Sequence, residues 1–164
     1  MSYSLSGEDI TRIFDGKIKI LLFSDIRLYK NLDELLKPYD RVIILFERKK
    51  NVGHWTCLFR NSKGVFFFDP YGIKPENQLR FSSGMNKLLN QQKDTLNRLF
   101  DGHLIKYNDK PFQKWENGIN TCGRWVVARL LLPNMTNHEF FDFINARTNE
   151  RDKYITDLTN IFFT

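Results

Sequence analysis

The stretch HWTCLFRNSKGVFFFD, His54 to Asp69, decides how the chain folds. Two β-prone runs flank Asn61-Ser62-Lys63-Gly64, a turn signal of hairpin length. Taken as a four-residue loop, this turn sets Arg60 opposite Val65, Thr56 opposite Asp69 and His54 opposite Tyr71. Side chains alternate across a strand, so His54, Thr56, Asp69 and Tyr71 share one face. Trp55, Cys57, Phe59, Phe66 and Phe68 share the other. That second set is apolar throughout, and a slip of one residue would mix both faces, so burial supports the register. His54 and Asp69 become diagonal neighbours roughly 7–8 Å apart, within reach of an imidazole–carboxylate hydrogen bond. Cys57 faces the core. Trp55 has the same parity, which favours packing over a role flanking a cleft.

Upstream, Arg41 to Glu47 (RVIILFE) is apolar enough to be a central strand. Ser6 to Phe14 reads as a short helix with Ser6 and Asp9 as a capping box. Lys17 to Phe23 reads as a strand or extended segment, and Asn31 to Leu36 as a helix stopped by Pro38. Downstream, Asp69-Pro70-Tyr71-Gly72 breaks the strands. Met85 to Phe100 carries Leu88, Leu89, Leu96 and Leu99 and reads as the longest amphipathic helix, ended by Asp101-Gly102. His103 to Tyr107 is a short strand and Lys110 to Asn120 a polar loop. Cys122 to Leu132 is an apolar helix ended by Pro133, and Asn137 to Asn145 and Glu150 to Phe162 close the chain. The order is that of an α+β fold with a central mixed or antiparallel sheet, in a single domain over residues 1–164.

Bulk properties narrow the function classes. The 164 residues are 41% hydrophobic and 15% aromatic, enough for a full core without staples. Two cysteines, Cys57 and Cys122, are too few for a disulfide framework. His54, His103 and His138 are far apart and no CxxC occurs, so neither a metal nor another cofactor is expected. A net charge of +6 favours anionic partners such as nucleic acid. No apolar run reaches the ~18 residues of a membrane span, and the N-terminus lacks a signal-peptide pattern. An intracellular protein without a membrane partner is expected.

The chemistry centres on GINTCGRWVVARLLL, Gly118 to Leu132. Cys122 stands between a polar turn and an apolar helix. A helix N-terminus carries partial positive charge and unpaired N–H groups, which stabilise a thiolate and make it nucleophilic near neutral pH. On this stretch alone a small apolar residue in the first turn fits as well. A nucleophilic cysteine needs a base, and the base an orienting acceptor; His54 and Asp69 supply both. His103 and His138 have no such partner and read as surface residues. Oxyanion donors are available from Gln113, Asn117, Asn120 and the Cys122 backbone N–H.

The ordered set GHWTCLF (Gly53 to Phe59), FFFDPYG (Phe66 to Gly72), Gln113 with Asn117-Gly118, and TCGRW (Thr121 to Trp125) resembles the adenain and ubiquitin-like-protein-specific cysteine protease clan. With PNMTNHEFFDFI (Pro133 to Ile144) and the small size, it is most like the capsid-maturation proteases of virophages and polinton-type elements, Mavirus-like in pattern. The resemblance implies a papain-like, adenain-like cysteine protease fold with the nucleophile at the N-terminus of a buried helix. It implies Cys122 as nucleophile, His54 as base, Asp69 as orienting carboxylate and Gln113 as oxyanion donor. It further implies a monomeric endopeptidase cutting capsid or scaffold protein at Gly-rich sites, in the virion and in the host cytoplasm or viral factory, with DNA as a possible activator or tether. Isopeptidase action on ubiquitin-like proteins, or a non-catalytic module binding nucleic acid or capsid, are the alternatives. In the family the glutamine stands closer to the cysteine; Gln113 lies nine positions before Cys122 and Glu116 fills the nearer position.

Overall fold

A computed structural model describes residues 4–116 and 120–163. Its centre is a five-stranded mixed sheet in the order β1-β2-β3-β4-β5. Strand β1 (Lys19–Leu22) runs parallel to β2 (Arg41–Lys49). Strand β2 is antiparallel to β3 (Val52–Asn61), and β3 to β4 (Gly64–Phe68). Strand β4 runs parallel to β5 (Ile105–Tyr107). The helices are α1 (Gly7–Ile13), α2 (Leu32–Leu36), α3 (Pro75–Gln78), α4 (Asn97–Phe100), α5 (Cys122–Leu131), α6 (Asn137–Asn145) and α7 (Arg151–Thr159). The architecture is α+β, as the order of elements suggested. None of the described helices is long and apolar enough to cross a membrane.

Both faces of the sheet are covered, which explains why RVIILF shows no alternation. Ile43, Cys57, Phe59, Phe66 and Phe68 pack with Trp125 and Val126 of α5 and Phe140 of α6. Val42, Ile44, Phe46, Leu58 and Phe67 pack on the opposite side with Phe23, Leu36, Leu79 and Leu99. Each fully buried Phe or Leu contributes about 1.5–3 kcal/mol relative to exposure. The β3–β4 register is the one burial parity demands: Arg60 opposes Val65 and Phe59 opposes Phe66. The ladder runs one pair further, to Asn61 and Gly64, so the loop proper is Ser62-Lys63. The Asn61 carboxamide accepts from the Lys63 N–H at 2.7 Å.

Helix α5 is buried from Gly123 to Leu130, two arginines included. Each guanidinium is solvated by protein oxygens. Arg124 donates to Thr159 Oγ1 at 2.8 Å and Asn160 Oδ1 at 2.9 Å. Arg129 donates to Asn137 Oδ1 at 3.0 Å, Leu132 O at 2.9 Å and Met135 O. Burial pulls the Arg129 pKa down to about 10.

The long helix expected over Met85 to Phe100 does not form; only Asn97–Phe100 is α-helical, after a series of turns. Asn90 adopts a left-handed φ of 56°, which ends any helix there. Next to it, Gln91 docks on β2 where the ladder bulges. It accepts from the Glu47 N–H at 2.8 Å and donates to the Glu47 carbonyl at 3.1 Å. That pair of bonds to a strand outweighs a helical periodicity, and leaves Leu88 79% exposed.

Candidate active site

The hairpin places His54 and Asp69, the candidate base and its acceptor. Pairing between β3 and β4 stops at Cys57 and Phe68, so Asp69 leaves the ladder. Its backbone is taken over by the Asn108 side chain, which accepts from the Asp69 N–H at 3.0 Å and donates to its carbonyl at 2.6 Å. The freed carboxylate reaches His54, whose Nε2 meets Asp69 Oδ1 at 2.6 Å. This pair is buried, His54 to 5% exposure and Asp69 to 0%. Gly53, just before His54, is needed for close packing: a Cβ there would lie 1.9 Å from the Phe46 carbonyl oxygen.

The other ring nitrogen of His54 is left for Cys122, with which it shares a hydrogen bond. Cys122 is the first residue of α5. The helix is tucked in tightly behind it: a Cβ on Gly123 would come within 3.1 Å of both Leu5 and Trp55. Trp55 packs against the core as its parity implied, and its indole N–H donates to Leu5 O at 3.1 Å. It also acts through its backbone, whose hydrogen bond to Cys122, with that of Gly123, favours the thiolate.

The electrostatics follow from these contacts. Burial alone would keep His54 neutral, but the charge and hydrogen bond of Asp69, joined by Cys122, hold its pKa up at about 9. Burial would also keep Cys122 protonated. The His54 hydrogen bond and charge, with the two backbone donors, bring its pKa below the ordinary thiol value. Both shifts favour the thiolate–imidazolium form, the reactive form of a cysteine nucleophile.

Around this triad lie residues that sequence reasoning missed. Asp69 Oδ1 also accepts from the Tyr71 N–H at 2.8 Å, and Oδ2 accepts from Gln78 Nε2 at 2.5 Å. Gln78 is fully buried. Arg48 donates to its Oε1 at 3.0 Å and to its backbone carbonyl at 3.3 Å. Because an arginine can only donate, it claims the amide oxygen and turns the amide N–H₂ toward Asp69. The Tyr71 ring stacks on His54 at 4.7 Å and 13°, and Trp115 in turn meets Tyr71 at 4.4 Å. No spacing rule in the sequence connects Arg48, Gln78 and Trp115 to the hairpin; Tyr71 alone had been placed on the same face.

Among the candidate donors, Gln113 is buried to 2% exposure, Asn120 is exposed, and Asn117 lies outside the described residues. The Gln113 and Phe112 N–H groups both donate to Pro70 O, at 2.9 and 2.8 Å, so the loop is pinned to the turn after Asp69. A cleft of about 740 Å³ opens beside it, lined among others by Tyr71, Phe112, Gln113 and Trp115. His138 sits on the surface, 3.3 Å from Asp142, and His103 is exposed. Among the described residues no group of three or more His, Cys, Asp or Glu side chains could hold a metal ion.

No family profile matches the chain. Over 146 residues it is 39% identical to "Uncharacterized protein V9" of the Sputnik virophage, an alignment covering 87% of this chain and 83% of that protein.

Proposed function

The chain belongs to one family with the Sputnik virophage protein V9, and from that premise we propose that it is a cysteine endopeptidase of papain-like, adenain-like fold. Its substrate would be a viral capsid or scaffold protein, cut at Gly-rich sites during virion maturation, within the virion or viral factory. One observation carries the reading: a helix-N-terminal cysteine hydrogen-bonded to a buried histidine that is itself oriented by a buried aspartate. The viral relative supports the setting.

The reaction starts from the thiolate–imidazolium form of the pair. The Cys122 thiolate attacks the peptide carbonyl carbon, and the carbonyl electrons move to oxygen. That oxyanion is held by N–H groups of the first α5 turn, which have no partner within the helix, and by the Gln113 amide. His54 gives its proton to the departing amine, the C–N bond breaks and a thioester remains. Neutral His54 then takes a proton from water as the water oxygen attacks the thioester. Collapse of that second intermediate expels the thiolate and restores the pair. Throughout, Asp69 keeps Nε2–H engaged, so the nitrogen facing Cys122 is the one that exchanges protons.

The test is digestion of the particle's own capsid and scaffold proteins by wild type and Cys122→Ala, with new termini read by mass spectrometry. Cuts after small residues that vanish in the variant are expected. Cysteine-dependent cutting of a ubiquitin-like precursor, with capsid proteins left intact, would replace the substrate. The absence of any Cys122-dependent cut in either set would sink the peptidase reading.

A further inference from the structure

We propose that Asp152 is a positioning residue that locks the nucleophile helix to the oxyanion loop, one carboxylate oxygen on each. The proposal rests on the peptidase reading above and deepens it. Asp152 Oδ1 accepts from Thr121 Oγ1 at 2.6 Å and from Trp125 Nε1 at 2.9 Å. Thr121 is the residue before Cys122, and Trp125 lies one turn along α5. Asp152 Oδ2 accepts from the Lys114 N–H at 2.9 Å. Lys114 is the residue after Gln113. Nucleophile and candidate oxyanion donor are thus each one residue from an atom bound to the same carboxylate. Its two oxygens are rigidly spaced, so the two segments cannot drift apart independently.

The preceding residue completes the hold. Arg151 donates through Nε to Phe112 O at 3.1 Å and through Nη2 to Pro111 O at 3.2 Å. Gln113 is therefore bracketed from α7 on both sides, while its own N–H is fixed to Pro70 O. Asp152 stands in the first turn of α7, where the helix dipole favours an acidic side chain. In acyl transfer an oxyanion donor acts only from the right position relative to the nucleophile, and a misplacement of about 1 Å costs on the order of 10²-fold.

Asp152→Asn separates the two arms. The retained oxygen can still accept from Thr121 and Trp125, but an amide N–H₂ then faces the Lys114 N–H, donor against donor. Two rates at Cys122 are compared: alkylation by iodoacetamide, which needs the thiolate but no oxyanion hole, and acylation by the p-nitrophenyl ester of an N-acylglycine, which needs both. Asp152→Asn is expected to alkylate within about twofold of wild type and acylate about 10- to 100-fold more slowly. Thr121→Val, which loses a bond on the nucleophile side and keeps the loop side, is expected to slow alkylation. Thermal melts identify a variant that has merely unfolded, and the valine variant then carries the comparison. Equal acylation by Asp152→Asn and wild type, with fast alkylation in both, overturns the clip alone. Wild-type Cys122 alkylating no faster than a free thiol overturns the peptidase reading and the clip together.

Discussion

Cys57 and Cys122 carry the same thiol in opposite surroundings. Cys57 points into the core beside Phe59 and Phe68, and burial pushes its pKa far up against the smaller opposing pull of the Arg129 charge. Cys122 is also packed against protein, yet its pKa falls, because His54 and two backbone N–H groups face its sulfur. Burial is therefore not what makes a cysteine inert. What decides is whether the dry site also holds groups that prefer the anion. Trp55 embodies the difference: its side chain serves the core, and its backbone N–H serves Cys122.

The largest expected effect abolishes the contrast. His54→Ala should cost about 10²–10⁴-fold in peptide cleavage, measured as kcat/KM, since the proton donor and the thiolate's partner go together. Limiting iodoacetamide near pH 6 should label Cys122 about 10- to 100-fold faster than a free thiol and Cys57 hardly at all, with the advantage lost in His54→Ala; peptide mapping reads this directly. Asp69→Asn should reshape the pH profile. His54 must be protonated to serve the leaving amine, so wild-type activity falls as pH rises through about 9. Without the Asp69 charge the His54 pKa drops, and the alkaline limb moves to lower pH. Gln78→Leu, which fills the space but removes the donor to Asp69 Oδ2, should slow cleavage about tenfold with KM little changed. The smallest effect sharpens the comparison from the other side. Cys57→Ala should leave Cys122 labelling and cleavage intact and lower stability by about 1–2 kcal/mol in a denaturant titration.

The hairpin was legible as far as burial parity over-determines it: Cys57, Phe59, Phe66 and Phe68 admit one register, but the expected Thr56–Asp69 and His54–Tyr71 pairs do not form, and Asn108 holds Asp69 beside His54 instead. The Cys122 helix was legible because an apolar run begins directly after a polar turn. Gln78, Arg48, Asn108 and Asp152 were not, since each acts by a side-chain bond across the fold, and such bonds leave no periodic trace in a chain. Their two buried counterparts in α5, Arg124 and Arg129, were hidden for the same reason. The segment Met85 to Phe100 failed differently. Its leucine spacing is real, but Gln91 finds better partners on Glu47 than a helix would offer.

The contrast in sequence distance within the triad has a consequence for synthesis. His54 and Asp69 share one hairpin, a contact with low loop-closure entropy that can form early on the ribosome. Cys122 arrives much later, and the α7 residues that brace it later still. A nascent chain with both strands made still lacks Asn108, which holds the Asp69 backbone, and Cys122 itself. On the proposed peptidase reading, hydrolytic competence would appear only once α5 and α7 dock, when little of the chain remains to be made.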